Sequence, residues 1–185
     1  MPSLASRSYA AALPPAVTAP GLGLRALTPS AQLWISGDPA DAGFVAAASG
    51  VLGTLPAAGR IVGEDPLLLW QAPDRWLLVS ERQRGADLAR ALEQALKGLH
   101  AAVSDTTDGL ALFEVAGPAA RRVVGQGTTF DLDPARFGPG SGVVTLFAGL
   151  RVSLYCPAPD RLRLHAEVAS ARFVWDWLTT AASAY

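Results

Sequence analysis

The residue types that most often carry out catalysis are few in this chain and lie far apart. The two histidines, His100 and His165, fall on predicted strands, and the single cysteine, Cys156, comes directly before a proline. A histidine that acts as a general base, or a cysteine that acts as a nucleophile, needs a partner group beside it. Because the sequence shows no such partner, we predict two core or edge histidines and a cysteine that behaves as a small buried apolar residue.

Carboxylates and glycine-rich loops offer no better site. Asp105 and Asp108 flank two threonines, which is ordinary turn chemistry. The glycine-rich loop 138–142 lacks the Lys-Ser/Thr ending of a phosphate-binding loop. A single cysteine excludes metal motifs that are built from several cysteines. We therefore predict no catalytic, cofactor-binding or metal-binding residue in this chain.

The composition points to a protein that covers part of its surface with a partner. Charged residues make up 17% of the 185 residues, against about 25% in typical soluble domains. The net charge of -1 leaves no basic excess for nucleic acid. No stretch offers the roughly 20 strongly apolar residues that a membrane-spanning helix needs. We expect a cytoplasmic protein with a protein partner, and with neither a membrane nor nucleic acid among its ligands.

The chain divides into a tail, residues 1–21, and a single α+β domain, residues 22–185. The tail is rich in Ala, Pro and Ser and is predicted to be flexible or bound to a partner. Turn and cap residues predict helices at about 39–52, 88–99 and 170–182, with another that opens near 117. They also predict a strand at 32–36, hairpins 67–71/76–80 and 100–105/110–116, and strands at 143–147, 151–155 and 162–167.

Two motifs recur in the same order. Ala72-Pro73-Asp74-Arg75 returns as Ala158-Pro159-Asp160-Arg161 at a second hairpin turn, and Gly37-Asp38-Pro39-Ala40 returns as Gly117-Pro118-Ala119 at a second strand-to-helix corner. These recurrences predict two pseudo-repeats, about 22–99 and 100–185. The architecture that follows is a duplicated β-α-β-β-α unit, with antiparallel sheets covered by helices.

The last predicted helix carries two tryptophans on different faces. Trp177 shares an apolar stripe with Phe173 and is predicted to face the core, so that its loss would destabilise the fold. Trp175 points elsewhere and is predicted to anchor a partner, because tryptophan is enriched at interface hot spots. Together with Arg172, Phe137 and Arg136, it forms the predicted subunit interface.

Five stretches, taken in order, resemble the gamma subunit family of heterotetrameric sarcosine oxidase. They cover nearly the whole chain beyond the tail, and the most distinctive is the ending Trp175-Asp176-Trp177-Leu178. The five stretches are residues 69–78, 103–109, 117–121, 130–134 and 169–178. One departure is the segment Gly125-Gln126-Gly127-Thr128-Thr129, where members of the family tend to have Lys-Gly-Cys.

The resemblance implies a supporting subunit that binds no cofactor of its own and has a fold like the folate-binding domain of glycine-cleavage T-protein. In that family the complex oxidises sarcosine to glycine with oxygen, passes the methyl carbon to tetrahydrofolate and forms hydrogen peroxide. FAD, FMN and NAD lie in the alpha and beta subunits, and zinc in the delta subunit.

Three other functions remain open at this point. The chain could be a free-standing folate-binding or one-carbon transfer module, in which Asp105 or Glu114 would hold the pterin. It could also belong to a related dehydrogenase of secondary amines or N-methyl amino acids. A third alternative is an assembly factor that leaves the mature complex.

Overall fold

Eleven strands and four α-helices make up the part of the chain that the computed structural model describes, residues 9–185. The strands are β1 (Val17–Ala19), β2 (Leu22–Leu27), β3 (Ala31–Gly37), β4 (Ile61–Val62), β5 (Leu67–Ala72), β6 (Arg75–Ser80), β7 (Ala101–Asp105), β8 (Leu110–Ala116), β9 (Ser141–Phe147), β10 (Leu150–Ala158) and β11 (Arg161–Glu167). The helices are α1 (Ala42–Leu52), α2 (Gly85–Ala95), α3 (Ala120–Gly125) and α4 (Ala171–Ala182). None of the helices in this range is long and apolar enough to cross a membrane.

Two antiparallel sheets form the centre of the fold. The large sheet has the order β1-β2-β8-β11-β10-β9, and the small sheet has the order β4-β5-β6-β3-β7. Helices α3 and α4 cover the outer face of the large sheet, and α1 and α2 cover that of the small sheet. The inner faces pack on each other through an apolar cluster that includes Leu77 and Tyr155. The result is four layers, helices–sheet–sheet–helices, which confirms the predicted α+β class.

The duplication is visible in the order of the elements. β3-α1-β4-β5-β6-α2 in the small sheet corresponds to β8-α3-β9-β10-β11-α4 in the large one. The strand that precedes each series is exchanged: β2 pairs with β8 in the large sheet, and β7 pairs with β3 in the small sheet. Each sheet is therefore completed by a strand from the other half of the chain.

This exchange corrects the predicted hairpin at 100–105/110–116. The two strands exist as β7 and β8, but they lie in different sheets and do not pair. Gln32 is fully buried near the start of β3 and fixes the connection between β7 and β8. Its side-chain amide donates to the carbonyls of Thr107 (3.0 Å) and Leu110 (2.9 Å). Residues 106–109 do form the predicted turn, but this turn connects a strand of the small sheet to a strand of the large sheet.

Residues 9–21 also differ from the predicted tail. Tyr9 begins a short 3-10 helix; its hydroxyl donates to the carbonyl of Leu27 and accepts from the Leu112 amide at 2.6 Å. β1 then pairs with β2 at the edge of the large sheet. A strand of three residues is too short to show an alternating pattern, which explains why composition alone suggested a tail. The rest of the predicted tail, residues 1–8, lies outside the described residues.

Helix α1 begins three residues later than the Asp38-Pro39 corner predicts. Asp38 accepts from the Ala40 amide at 2.8 Å and closes a turn, whereas Asp41 accepts from the Gly43 amide at 2.8 Å and is the N-cap. Both aspartates satisfy free amides, but only the second does so at the start of a helix. The other predicted helices and the hairpin β5–β6 lie close to their expected positions.

Candidate functional site

The structure corrects the assignment of faces on α4. Trp175 is 1% exposed and its ring lies 6.2 Å from that of Phe113 in the large sheet. Trp177 is only partly buried and packs edge-on against Phe147 at 4.7 Å, while Phe173 is 50% exposed. Trp175 is therefore part of the core and cannot anchor a partner without leaving it.

Phe137, another residue of the predicted interface, is buried as well. It is 2% exposed and packs against Phe130 at a ring separation of 5.2 Å. Arg121 on α3 holds this loop, because its guanidinium donates to the carbonyls of Leu132 (2.7 Å) and Phe137 (2.9 Å). The aromatic pair thus fixes the loop before β9 onto the large sheet, and the interface assignment of Phe137 is corrected.

The two arginines of the predicted interface do lie at the surface. Arg172 pairs with Asp176 one turn along α4, at 2.8 Å, and Arg136 pairs with Asp131 at 3.2 Å. Both pairs are well exposed, and such pairs contribute little to stability. A role for these side chains in binding a partner stays a prediction.

An ionic row with a buried carboxylate at its centre crosses three neighbouring strands of the large sheet. The register places Arg25 of β2 and Arg163 of β11 directly opposite Glu114 of β8, one on each side. The Arg25 Nε lies 2.9 Å from one carboxylate oxygen and the Arg163 Nε 2.8 Å from the other. Burial alone would raise the pKa of Glu114, but the hydrogen bonds and charges of Arg163 and Arg25 outweigh it and lower that pKa. Glu114 is therefore held as a carboxylate.

Sequence reasoning named Glu114 without its partners, because a row of residues across strands becomes visible only when the register is known. Its geometry also decides whether it could hold a pterin. Both of its oxygens are engaged by arginines, and the carboxylate of Asp105 accepts from the amide (2.9 Å) and hydroxyl (2.6 Å) of Thr107. Glu114 is therefore not available to a pterin. Asp105 is exposed and uses only Oδ1 in these contacts, within the turn that follows β7.

His165 lies between the two sheets, as a core histidine. It is 2% exposed and stacks on Tyr155, with the ring centres 5.6 Å apart. Burial, aided by the charge of Arg163, lowers the pKa of His165 to about 3. Neither ring nitrogen has a hydrogen-bond partner within residues 9–185. A neutral histidine enclosed in this way cannot exchange protons with a substrate near neutral pH.

The remaining candidates are separate from this row. His100 is exposed just before β7 and lines a surface pocket of about 380 Å³ together with Asp38 and Asp74. Burial raises the pKa of the Cys156 thiol, although the nearby Arg121 opposes the shift, so the thiol stays protonated. In the described part of the chain, no three residues among His, Cys, Asp and Glu are grouped as metal ligands would be.

Comparison with known proteins places the chain in a family. The model of the sarcosine oxidase gamma subunit family matches residues 36–184. Sarcosine oxidase subunit gamma from Corynebacterium sp. (strain P-1) is 29% identical over 171 residues, which cover 91% of this chain and 83% of that protein.

Solved structures agree with this result. A chain of the heterotetrameric sarcosine oxidase from Corynebacterium sp. U-96 superposes with a TM-score of 0.87 at 28% identity, over 96% of this chain and 95% of that one. The aminomethyltransferase T of the glycine cleavage system from Bartonella henselae gives a TM-score of 0.61 at 16% identity, over 85% of this chain and 45% of that one. The second likeness concerns the fold alone and confirms the predicted relation to T-protein. The chain belongs to the sarcosine oxidase gamma subunit family.

Proposed function

We propose that this chain is the gamma subunit of a cytoplasmic heterotetrameric sarcosine oxidase, in which it supports assembly and takes no part in the chemistry. Its partners would be the alpha, beta and delta subunits. Those partners would carry FAD, FMN, NAD, tetrahydrofolate and zinc, and the complex would convert sarcosine to glycine with oxygen. The observation that carries the proposal is the superposition on a chain of the Corynebacterium enzyme along almost the full length of both chains.

The chemistry of the polar residues supports a structural role. Glu114 has arginines on both sides, His165 is enclosed as a neutral ring, and Cys156 is buried as a thiol. Each of these groups is engaged by neighbouring side chains or enclosed within the fold. By contrast, Leu146 (60%) and Phe173 (50%) expose large apolar side chains, as a subunit with partners would.

Co-expression of the chain with the alpha, beta and delta subunits from the same source tests the proposal. A single yellow complex of fixed stoichiometry on size-exclusion chromatography, with sarcosine-dependent peroxide formation, is the expected result. Recovery of a flavin complex without this chain would refute the proposal. Folate titrated into the chain alone should give no binding, since both oxygens of Glu114 are held by arginines and Asp105 lies exposed in a turn.

The exposed arginines provide a second test, of where the partners bind. We expect Arg172→Glu or Arg136→Glu to weaken incorporation into the complex. Arg90→Glu on α2 is the matched control, because its pair with Asp87 is also exposed and lies within one helix. If all three variants are incorporated as well as the wild-type chain, the two arginines do not contact a partner.

A further inference from the structure

Strand β9 lies at one edge of the large sheet, so its side away from β10 is free to pair. Its first residues are covered, because the Gly142 amide donates to the carbonyl of Gly59 (3.0 Å) and the Ile61 amide to that of Gly140 (3.0 Å). Beyond this point, residues 143–147 form the outermost strand of the sheet, with β10 on one side only.

The contact of Gly142 shows which backbone groups point outward. In an antiparallel strand the amide and carbonyl of alternate residues point to the same side. Since the Gly142 amide points away from β10, so do those of Val144 and Leu146, whereas Val143 and Thr145 bond to β10. Among residues 9–185, no hydrogen bond reaches the outward groups of Val144 or Leu146.

The side chains beside this edge are those of a binding surface. Leu146 is 60% exposed, the largest exposed fraction among the large apolar residues of the described chain. Val144, two residues away on the same face, lines a cleft of about 90 Å³ that opens between the two sheets beside Trp34 and Leu110. Such a volume has room for about three water molecules, or for one small apolar side chain.

A positive charge lies next to the same edge. Arg151 of β10 is directly opposite Leu146, is exposed and lines the mouth of the cleft. It forms no ion pair with any residue that the structure describes, although Glu167 of β11 lines the same cleft. The surface therefore combines an unpaired backbone, an apolar side chain and an unpaired cation.

We propose that residues 143–147 pair with an extended segment of a partner subunit, which adds a strand to the large sheet. The outward amide and carbonyl groups of Val144 and Leu146 can form hydrogen bonds with an added β-strand. The segment carries an apolar side chain over Leu146 and a carboxylate within reach of Arg151. A second copy of this chain fits less well, because its own β9, residues 141–147, contains no carboxylate to pair with Arg151. The inference rests on the proposed function, because it names the surface through which the subunit is held.

Hydrogen exchange of the co-expressed complex tests the inference directly. The amides of Val144 and Leu146 should exchange slowly in the complex and quickly in the chain released from it. Those of Val143 and Thr145 are internal controls, because their bonds to β10 protect them in both states. Fast exchange at Val144 and Leu146 inside an intact complex would overturn the inference and leave the proposed function standing.

Leu146→Pro is the corresponding variant. Proline at this position removes only an outward N–H, so the sheet of the chain itself loses no hydrogen bond. Loss of the one main-chain bond that the Leu146 amide would donate to the partner should weaken incorporation about two- to tenfold. Leu146→Ser keeps the backbone groups and should weaken it less, and Arg151→Glu should weaken it as well.

The outcomes separate the two proposals. Failure of the wild-type chain to enter any complex refutes the proposed function and this inference together. Normal incorporation of both Leu146→Pro and Arg151→Glu refutes the inference alone. Protection of Val144 and Leu146 in a homodimer of the chain would assign the edge to a second copy instead, and would also overturn it.

Discussion

Replacement of Trp175 by alanine should destabilise the fold rather than a contact with a partner. The indole is 1% exposed and packs on Phe113, so its removal leaves a cavity between α4 and the large sheet. Truncation of a buried tryptophan costs about 3–5 kcal/mol of unfolding free energy. For a chain of this length, each kcal/mol shifts Tm by about 2–4 °C, so Tm should fall by roughly 6–20 °C.

Urea unfolding followed by far-ultraviolet circular dichroism measures this change without relying on tryptophan fluorescence. Phe173→Ala is the matched control on the same helix, because its ring is half exposed; it should alter the free energy of unfolding by no more than about 0.5 kcal/mol. Trp175→Phe should cost less than the alanine variant, because it refills most of the cavity and also removes a buried indole N–H that has no hydrogen-bond partner within residues 9–185. A Trp175→Ala chain as stable as the wild type, with a destabilised Phe173→Ala chain, would refute the packing of α4.

Four further substitutions, one of them a control, test other parts of the structure. Glu114→Gln should cost about 1–3 kcal/mol at pH 7, because it removes the buried carboxylate that pairs with the half-exposed Arg25 and the largely buried Arg163, and leaves Arg163 with Glu81 alone. Since the fold lowers the pKa of the Glu114 carboxyl, the difference from wild type should shrink as the pH falls below 4.5, and a constant difference would contradict the pairing. Between pH 7 and pH 5 the buried His165 should lower the free energy of unfolding of the wild type by about 2 kcal/mol, because the histidine of the unfolded chain takes up a proton near pH 6.5 and the buried one, with a pKa of about 3, does not. His165→Phe should abolish this contribution. If the free energy of unfolding of wild type and variant changes by the same amount between the two pH values, His165 is not a buried neutral ring. Gly37→Ala should lower the free energy of unfolding by about 1–3 kcal/mol, because the added Cβ would overlap the ring of Phe44. In the control Gly50→Ala, within α1, the added Cβ meets nothing within 4 Å, and the free energy of unfolding should rise by about 0.5–1 kcal/mol. Thermal melts that rank the two variants in the opposite order would contradict the packing.

Local signals predicted most of the elements. The Pro-Asp turns at residues 73–74 and 159–160 lie between β5 and β6 and between β10 and β11, as their chemistry requires. Their recurrence also predicted the duplicated architecture. These features depend on neighbours in sequence, which is why they could be identified without a structure.

Features that depend on distant residues could not be predicted. The turn at 106–109 resembles a hairpin turn, but whether the flanking strands pair depends on which other strands compete for them. β3 pairs with β7, and β2 and β11 pair with the two edges of β8. The ionic row of Arg25, Glu114 and Arg163 has no local signal either, because its members lie in three strands far apart in sequence.

The face of α4 could have been predicted from a longer pattern. Phe173 and Trp177 form an apolar pair, but Thr180 follows on their side of the helix. The alternative stripe, which the structure buries, is apolar along its whole length and comprises Val174, Trp175, Leu178, Ala181 and Ala182. A stripe that continues to the end of a helix indicates the core better than two large residues do.

The exchange of β2 and β7 has a consequence for how the chain folds. During synthesis β2 emerges early, but its neighbour β8 follows only after the whole of the first repeat, so the large sheet cannot close until most of the chain is available. Contacts over such sequence distances slow folding. Cleavage between α2 and β7 would produce one fragment that lacks β7 of the small sheet but carries β1 and β2, and another that carries β7 but lacks β1 and β2 of the large sheet. We expect neither fragment to fold alone, and the two to regain the native structure when mixed.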